Sequence, residues 1–306
     1  FICPKMQNNQ QKSWIVLIML AITWGSSFIL MKKGLLAYDN VQVGALRMII
    51  ASAVLLPFCI KHFSIIKKYW LPLLLVGLFG NGLPSFLFTK AQTVISSSLS
   101  GMLNALTPVF ALTIGTLFFR EKLNAMKVIG LSLGAVGVVL LLYKSGGIGY
   151  DENIIFHSLY VVFACVCYAI SINIIRHKLS EVSSLLITSA AFMFIGLPCL
   201  VIFLTTDIDR AIHSENFVFS TLCIIILALV GTAIAVIAFN YLIKWTSSIF
   251  AASVTYLIPI VAILWGIFDS ETISIVQSIG MAMVLVGVYI INRSKVKNVQ
   301  HKFVDK

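Results

Sequence analysis

From Trp14 to Ile291 the chain repeats one pattern: an apolar run of about twenty residues, a few polar positions, then another apolar run. The stretch from Val128 to Tyr143 is apolar at nearly every position and shows no alternation. As a helix rising about 1.5 Å per residue, a run of that length covers the roughly 30 Å of a bilayer's hydrocarbon core. Membrane strands would instead show ten-residue segments of alternating polarity, so the pattern predicts helices. Ten spans are expected, at residues 14–32, 41–60, 71–93, 98–119, 126–144, 154–175, 183–204, 217–243, 247–268 and 273–291. The connections are too short to hold a soluble domain.

The pattern also repeats at long range. Gly80 is followed 28 positions later by Pro108, and Gly231 by Pro259 at the same distance. Each proline is followed by a glutamate, Glu121 or Glu271, and then by two glycines at identical spacing, Gly130 and Gly137 or Gly280 and Gly287. Upstream, Trp24 aligns with Tyr168, Lys32 with Arg176 and Pro57 with Pro198, whereas Arg47 falls on Thr188. A repeat of this size predicts two copies of one unit, with a site between them. The halves are residues 14–144 and 154–291, followed by a basic tail at 292–306. Five spans is an odd number, so the second copy is expected upside down relative to the first.

Composition agrees with the pattern. The chain is 59% hydrophobic and 11% charged, with a mean hydropathy of +1.01, far from soluble composition. With the repeat, this predicts an all-α integral membrane protein of ten transmembrane helices in two inverted five-helix repeats. A net charge of +11 could suggest nucleic acid, but the charge is distributed by topology. Sixteen Lys and Arg residues fall on the side of the termini and four on the other, which places both termini in the cytoplasm. Met6 reads as the native start, and the first apolar run as a retained span rather than a removed signal. Six cysteines without paired spacing read as small buried hydrophobes, not as a disulfide or metal framework.

At this point particular residues become familiar. Trp24-Gly25-Ser26-Ser27-Phe28, Leu46-Arg47, Leu106-Thr107-Pro108-Val109-Phe110, Arg120-Glu121-Lys122 and the pair Gly130 and Gly137 occur in this order over the first half. Together with their duplication, they resemble an EamA-type carrier of the drug/metabolite transporter superfamily, over nearly the whole chain. The resemblance implies ten helices in two inverted repeats, a central substrate cavity, and export or exchange of small metabolites in a bacterial cytoplasmic membrane. The second half departs from the pattern at Phe268-Asp269-Ser270-Glu271 and at Tyr168, where the family has Gly-Glu and tryptophan.

Candidate site residues follow from what a bilayer tolerates. Arg47 lies inside the second span, where a charge must face a wet cavity or find partners. It either binds a substrate carboxylate or phosphate through its planar fork, or satisfies helix-end carbonyls. Pro108 and Pro259 each free the carbonyl four residues back, at Asn104 and Thr255. Exposed carbonyls on two equivalent spans suit a carrier's binding site. Asn104, Thr107, Thr255 and Tyr256 are therefore expected to line the pocket, with Trp24, Ser85 and Tyr168 as further walls or hydrogen-bonding groups. Lys90, near a span end, reads as a snorkelling side chain. Pro108 and Pro259 are the expected hinges, and Glu121 is either a gate residue or a helix-start anchor. The glycines of spans five and ten are expected to bring those spans together, in preference to making a homodimer.

None of the eleven carboxylates falls at mid-span. Proton- and sodium-driven carriers commonly use one there, so facilitated diffusion or exchange is expected. The sequence thus reads as a non-enzymatic secondary transporter with no cofactor and no metal. Its cargo is a small polar or amphipathic metabolite, an amino acid or related compound, exported or exchanged by alternating access. A nucleotide-sugar or other anionic exchanger of the same fold is the alternative. A membrane-embedded enzyme comes behind it, because no acid, base or metal cluster is visible. The partners expected are the small-molecule substrate and the lipid bilayer.

Overall fold

A computed structural model of the chain describes residues 4–60, 62–119, 124–143, 151–245 and 254–304. Among these the regular elements are helices. Six are long and apolar enough to cross a membrane: α1 (Pro4–Gly34), α3 (Trp70–Ala91), α4 (Ser97–Phe119), α6 (Glu152–Lys178), α7 (Ser184–Leu204) and α8 (Phe217–Phe239). Four apolar helices are shorter in their apolar part: α2 (Asn40–Leu55), α5 (Ala125–Leu141), α9 (Val254–Phe268) and α10 (Ile275–Val304).

Side chains start these helices where the sequence places short polar residues. Asp39 accepts from the backbone N–H groups of Val41 and Gln42, and the Gln42 side chain returns to the Asp39 N–H, closing a capping box on α2. The side chains of Ser96, Asn124, Asp151 and Ser183 cap α4, α5, α6 and α7 by accepting from first-turn N–H groups, without the reciprocal bond. Two differences from the expected spans have local causes. The second span stops at Leu55, because Pro57 opens a separate short helix, Pro57–Ile60. The basic tail is not separate from the tenth span, since α10 runs on as one helix to Val304.

Both repeat glycines sit in the same irregularity. Gly80 lies within a π-helical turn at Leu78–Gly82 of α3, and Gly231 within another at Leu229–Ile234 of α8. A π turn re-aims the carbonyls and side chains around it, and such turns gather at functional sites. The proline of α4 works differently. Backbone bonds from Ala105 to Met102 and from Leu106 to Leu103 tighten the helix there, and Pro108 enters the first turn of the next segment, where no N–H is needed. Pro259 is instead buried within α9, without a break.

The spans five and ten pack face to face. A β-carbon added to Gly130 would lie 2.7 Å from the Gly287 carbonyl oxygen, and one on Gly287 would lie 2.6 Å from that of Gly130. Gly137 and Gly280 make the same reciprocal pair at 2.7 Å each way. Only glycine permits this approach, which forms one wall of the bundle. Elsewhere Ser52 donates to the Phe192 carbonyl, joining α2 to α7, and Asn173 donates to Ala111, joining α6 to α4. Large apolar side chains such as Phe118, Leu204 and Val218 are exposed on the outside, as lipid contact requires.

Candidate functional site

The π turn of α8 builds the centre of the site. Its irregular backbone presents the Gly231 carbonyl to α1, where the Trp24 indole donates to it at 3.1 Å. The next residue, Thr232, donates its hydroxyl to the Leu227 carbonyl five positions back, at 3.1 Å. That leaves the Thr232 oxygen free to accept from Arg47 Nε at 3.2 Å. Arg47 is seven residues into α2, about 10 Å along the axis, and its side chain reaches from there to Thr232. Its Nη1 also lies 3.8 Å from the Met31 sulfur on α1.

Arg47 is thus held by neutral groups. Among the described residues no carboxylate lies within 4 Å of it. Arg47 is half-buried, not enclosed on every side. Tyr168 on α6 stands within electrostatic reach of the guanidinium. One turn before it on the same helix, the Cys165 thiol is directed at the Leu103 and Asn104 carbonyls, 3.5 and 3.9 Å away. Thr107 donates to the same Asn104 carbonyl at 3.0 Å. A continuous polar and aromatic band therefore runs from the α4 break through α6 and α2 to the π turn and Trp24.

One end of the bundle carries a second, different arrangement. Lys32, near the end of α1, contacts Asp269 Oδ2 at 2.8 Å and Glu271 Oε1 at 2.7 Å, and Lys33 pairs with the other Asp269 oxygen. The Glu271 side chain is 5% exposed. Its two oxygens also accept from the backbone N–H groups of Ser97 and Ser98 and from the Ser97 hydroxyl, at 2.8–2.9 Å. The N-terminus of α4 is a place where orphan N–H groups and the helix dipole favour an anion. Gly266 makes room, since a β-carbon there would lie 2.6 Å from Glu271 Oε2. The carboxylate thus clasps α1, α4 and the end of α9 together. Burial pushes the Asp269 carboxyl up, but hydrogen bonds and charge from Lys32 and Lys33 outweigh it, leaving the group below its usual 3.8. Glu271 is likewise pushed up by burial and brought below its usual 4.5 by Lys32 and the α4 N-terminus. A surface cavity of about 430 Å³ opens on this face beside Lys32, Tyr38, Gln92 and Arg210.

The model of the EamA-like transporter family matches the chain twice, over residues 12–143 and 155–293. The chain belongs to that family. Among its relatives, an uncharacterized transporter of Archaeoglobus fulgidus is 26% identical, the alignment covering 93% of this chain and all of that one. The uncharacterized inner membrane transporter YedA of Escherichia coli is 25% identical over 91% of this chain and 90% of its own. A WAT1-related chloroplastic protein of Arabidopsis thaliana is 24% identical over 91% of this chain and 69% of its own. A crystal structure of another protein superposes with a TM-score of 0.62 at 16% identity, covering 92% of this chain and 96% of that one. That likeness concerns the fold alone. This EamA-like chain is accordingly an integral membrane protein of a transporter family, and its relatives' names point away from an enzyme.

Within this EamA-like bundle the expected site residues separate into groups. Trp24, Arg47, Asn104, Thr107 and Tyr168 come together along the band, and Pro108 sets the break that exposes the Asn104 carbonyl. Ser85 is fully buried and donates to the Gly44 carbonyl at 3.1 Å, tying α3 to α2. Tyr256 donates to the Val288 carbonyl at 3.2 Å, toward α10. Thr255 and Pro259 lie in the first turns of α9, and Glu121 lies outside the described residues. Lys90 is exposed at the end of α3. Sequence reasoning missed the functional prospects of Thr232 and of the clasp. The available signal was Glu271 itself, a repeat position close to two of the four basic residues assigned to that side.

Proposed function

We propose that this chain is a secondary transporter that carries a small polar or amphipathic metabolite, an amino acid or related compound, through the band around Arg47. The four shorter apolar helices complete ten spans in two inverted halves, with both termini in the cytoplasm. The halves rock about the band and present it to either side in turn, for export or exchange. A bacterial cytoplasmic membrane fits the inner membrane YedA relative.

The observation that carries this reading is the band itself. It takes Trp24 and Asn104 from one half and Tyr168 and Thr232 from the other, and gathers them along the half-buried guanidinium of Arg47. Polar groups at the interface of two repeats are how carriers hold cargo away from either surface. The clasp then closes the outer mouth of the path, on the face that the Lys and Arg distribution assigns to the exterior. A nucleotide-sugar or other anionic exchanger of the same fold is the second reading, and Arg47 is the observation that favours it.

Counterflow tests the proposal. Liposomes holding the purified chain are loaded with unlabelled amino acids and related metabolites, and labelled candidates are added outside with no ion gradient. Protein-dependent accumulation that falls at least about tenfold in Thr232→Val or Trp24→Ala supports a carrier using the band. Accumulation indifferent to both variants removes the band from the pathway, and uptake appearing only under an imposed proton or sodium gradient removes gradient-free exchange.

A further inference from the structure

We infer that the cargo bears an anionic group, a carboxylate, that serves as the counter-ion of Arg47, and that this dependence makes the carrier exchange loaded cargo faster than it returns empty. The inference rests on the transporter reading and names the class of substrate for the same site.

A guanidinium inside a bundle of apolar helices is costly unless its charge is compensated. The clasp shows how this chain compensates a cation when the compensation is internal: Lys32 meets two carboxylates and Lys33 meets one. Arg47 meets a threonine hydroxyl, a thioether and the neighbourhood of a tyrosine. Of its five N–H groups, two are used, on Thr232 and Met31, and neither acceptor carries charge. The three that remain include both on Nη2. One of these and the N–H left on Nη1, parallel in the guanidinium plane, are the arrangement that grips a carboxylate through both oxygens.

Thr232 fixes the direction of the fork. Because its own proton is spent on the Leu227 carbonyl, its oxygen can only accept, and it orients Nε without consuming the outer nitrogens. The aromatic residues nearby, Trp24 and Tyr168, leave an apolar wall for the rest of the cargo, which fits an amphipathic carboxylate better than a strongly hydrated polyanion.

The kinetic consequence follows from the same imbalance. Passage through an occluded state removes water from the site. With cargo bound, the carboxylate neutralises Arg47 during that step; without it, a bare cation must be dehydrated. The empty carrier therefore crosses more slowly, and a carboxylate on the far side speeds release.

The test uses the full chain in two settings. In detergent, thermal unfolding is followed against each amino acid, its C-terminal amide, and a set of aliphatic mono- and dicarboxylates. At least one carboxylate is expected to stabilise the wild type at a concentration on the order of 10–100 times lower than its amide. Arg47→Gln is expected to lose that difference while melting no lower than wild type without ligand, and Arg47→Lys to retain part of it. In liposomes, efflux of the selected labelled carboxylate into medium containing the same unlabelled compound is expected to be at least about tenfold faster than into cargo-free medium. Arg47→Gln is expected to bring that ratio toward one.

Amides that stabilise as well as acids overturn the inference, and so does Arg47→Gln melting well below both wild type and Arg47→Lys, since Arg47 would then be structural. Equal efflux with and without trans carboxylate overturns the exchange mode. If carboxylates stabilise the wild type through Arg47 yet nothing crosses the membrane, binding stands and the transporter reading fails.

Discussion

Lys32 and Arg47 are both cations held among apolar helices, and the fold treats them in opposite ways. At the end of the bundle Lys32 has two carboxylates, one of which also caps α4. In the band, the half-buried Arg47 has neutral partners. A fully compensated charge fastens elements together, because separating it from its partners exposes several unsatisfied groups at once. A charge compensated only by neutral acceptors fastens little and keeps its strongest interaction in reserve for something that arrives. On the proposed reading, the two cations distinguish a latch from a receptor.

The sharpest way to break this contrast is at Glu271. Glu271→Gln removes the ion pair with Lys32 and weakens three hydrogen bonds to the start of α4, so a loss of about 2–4 kcal/mol is expected there. Amide hydrogen exchange at residues 97–100 should accelerate by on the order of 10²-fold; unchanged protection would mean that packing alone holds the mouth shut. Next, Lys32→Met should lower the thermal midpoint more than Lys33→Met, by about 1–3 against about 0.5–1 kcal/mol, because Lys32 joins two carboxylates and Lys33 one. Equal effects would remove Glu271 from its central place.

Acid gives a smaller and graded effect. Asp269 and Glu271 titrate below their usual 3.8 and 4.5 in the folded chain, so the clasp contributes fully above those values and its contribution is lost as pH falls below them. The midpoint of Glu271→Gln should fall less than that of wild type on acidification to about pH 3; parallel curves would contradict the assignment. The smallest change is expected in the band, where Trp24→Phe deletes one hydrogen bond to the Gly231 carbonyl and should cost about 0.5–1.5 kcal/mol. A loss as large as that of Glu271→Gln would make the band a structural fastener as well.

The sequence exposed those parts of the fold that depend on local pattern or on backbone. Apolar runs mark the helices to within a few residues, and the glycines of spans five and ten mark the α5–α10 contact, whereas the π turns around Gly80 and Gly231 leave no pattern in the sequence beyond the repeat itself. Arg47 was visible because a charge inside an apolar run is conspicuous by itself. The clasp was not, because Lys32 and Glu271 stand 239 positions apart and look like ordinary span-end charges until three helices converge. Residue type suggests Ser85 for the pocket and the Pro259 kink suggests Tyr256, yet which way a polar side chain points depends on the rotation of its helix, set by neighbours. Buried against α2, Ser85 found a carbonyl, and Tyr256 found another on α10. Thr232 was passed over because a lone threonine carries no signal until a π turn spends its proton.

The glycine seam also decides when the molecule can be completed. α5 is synthesised about 150 residues before α10, an interval on the order of 10–30 s at ordinary rates of translation. Through that interval Gly130 and Gly137 lack the Gly287 and Gly280 backbone against which they pack. α10, made later, is the helix that closes this contact. Synthesis of α10 is therefore a checkpoint in assembly: a chain that stalls before Gly280 leaves the backbone of Gly130 and Gly137 without the partner that covers it.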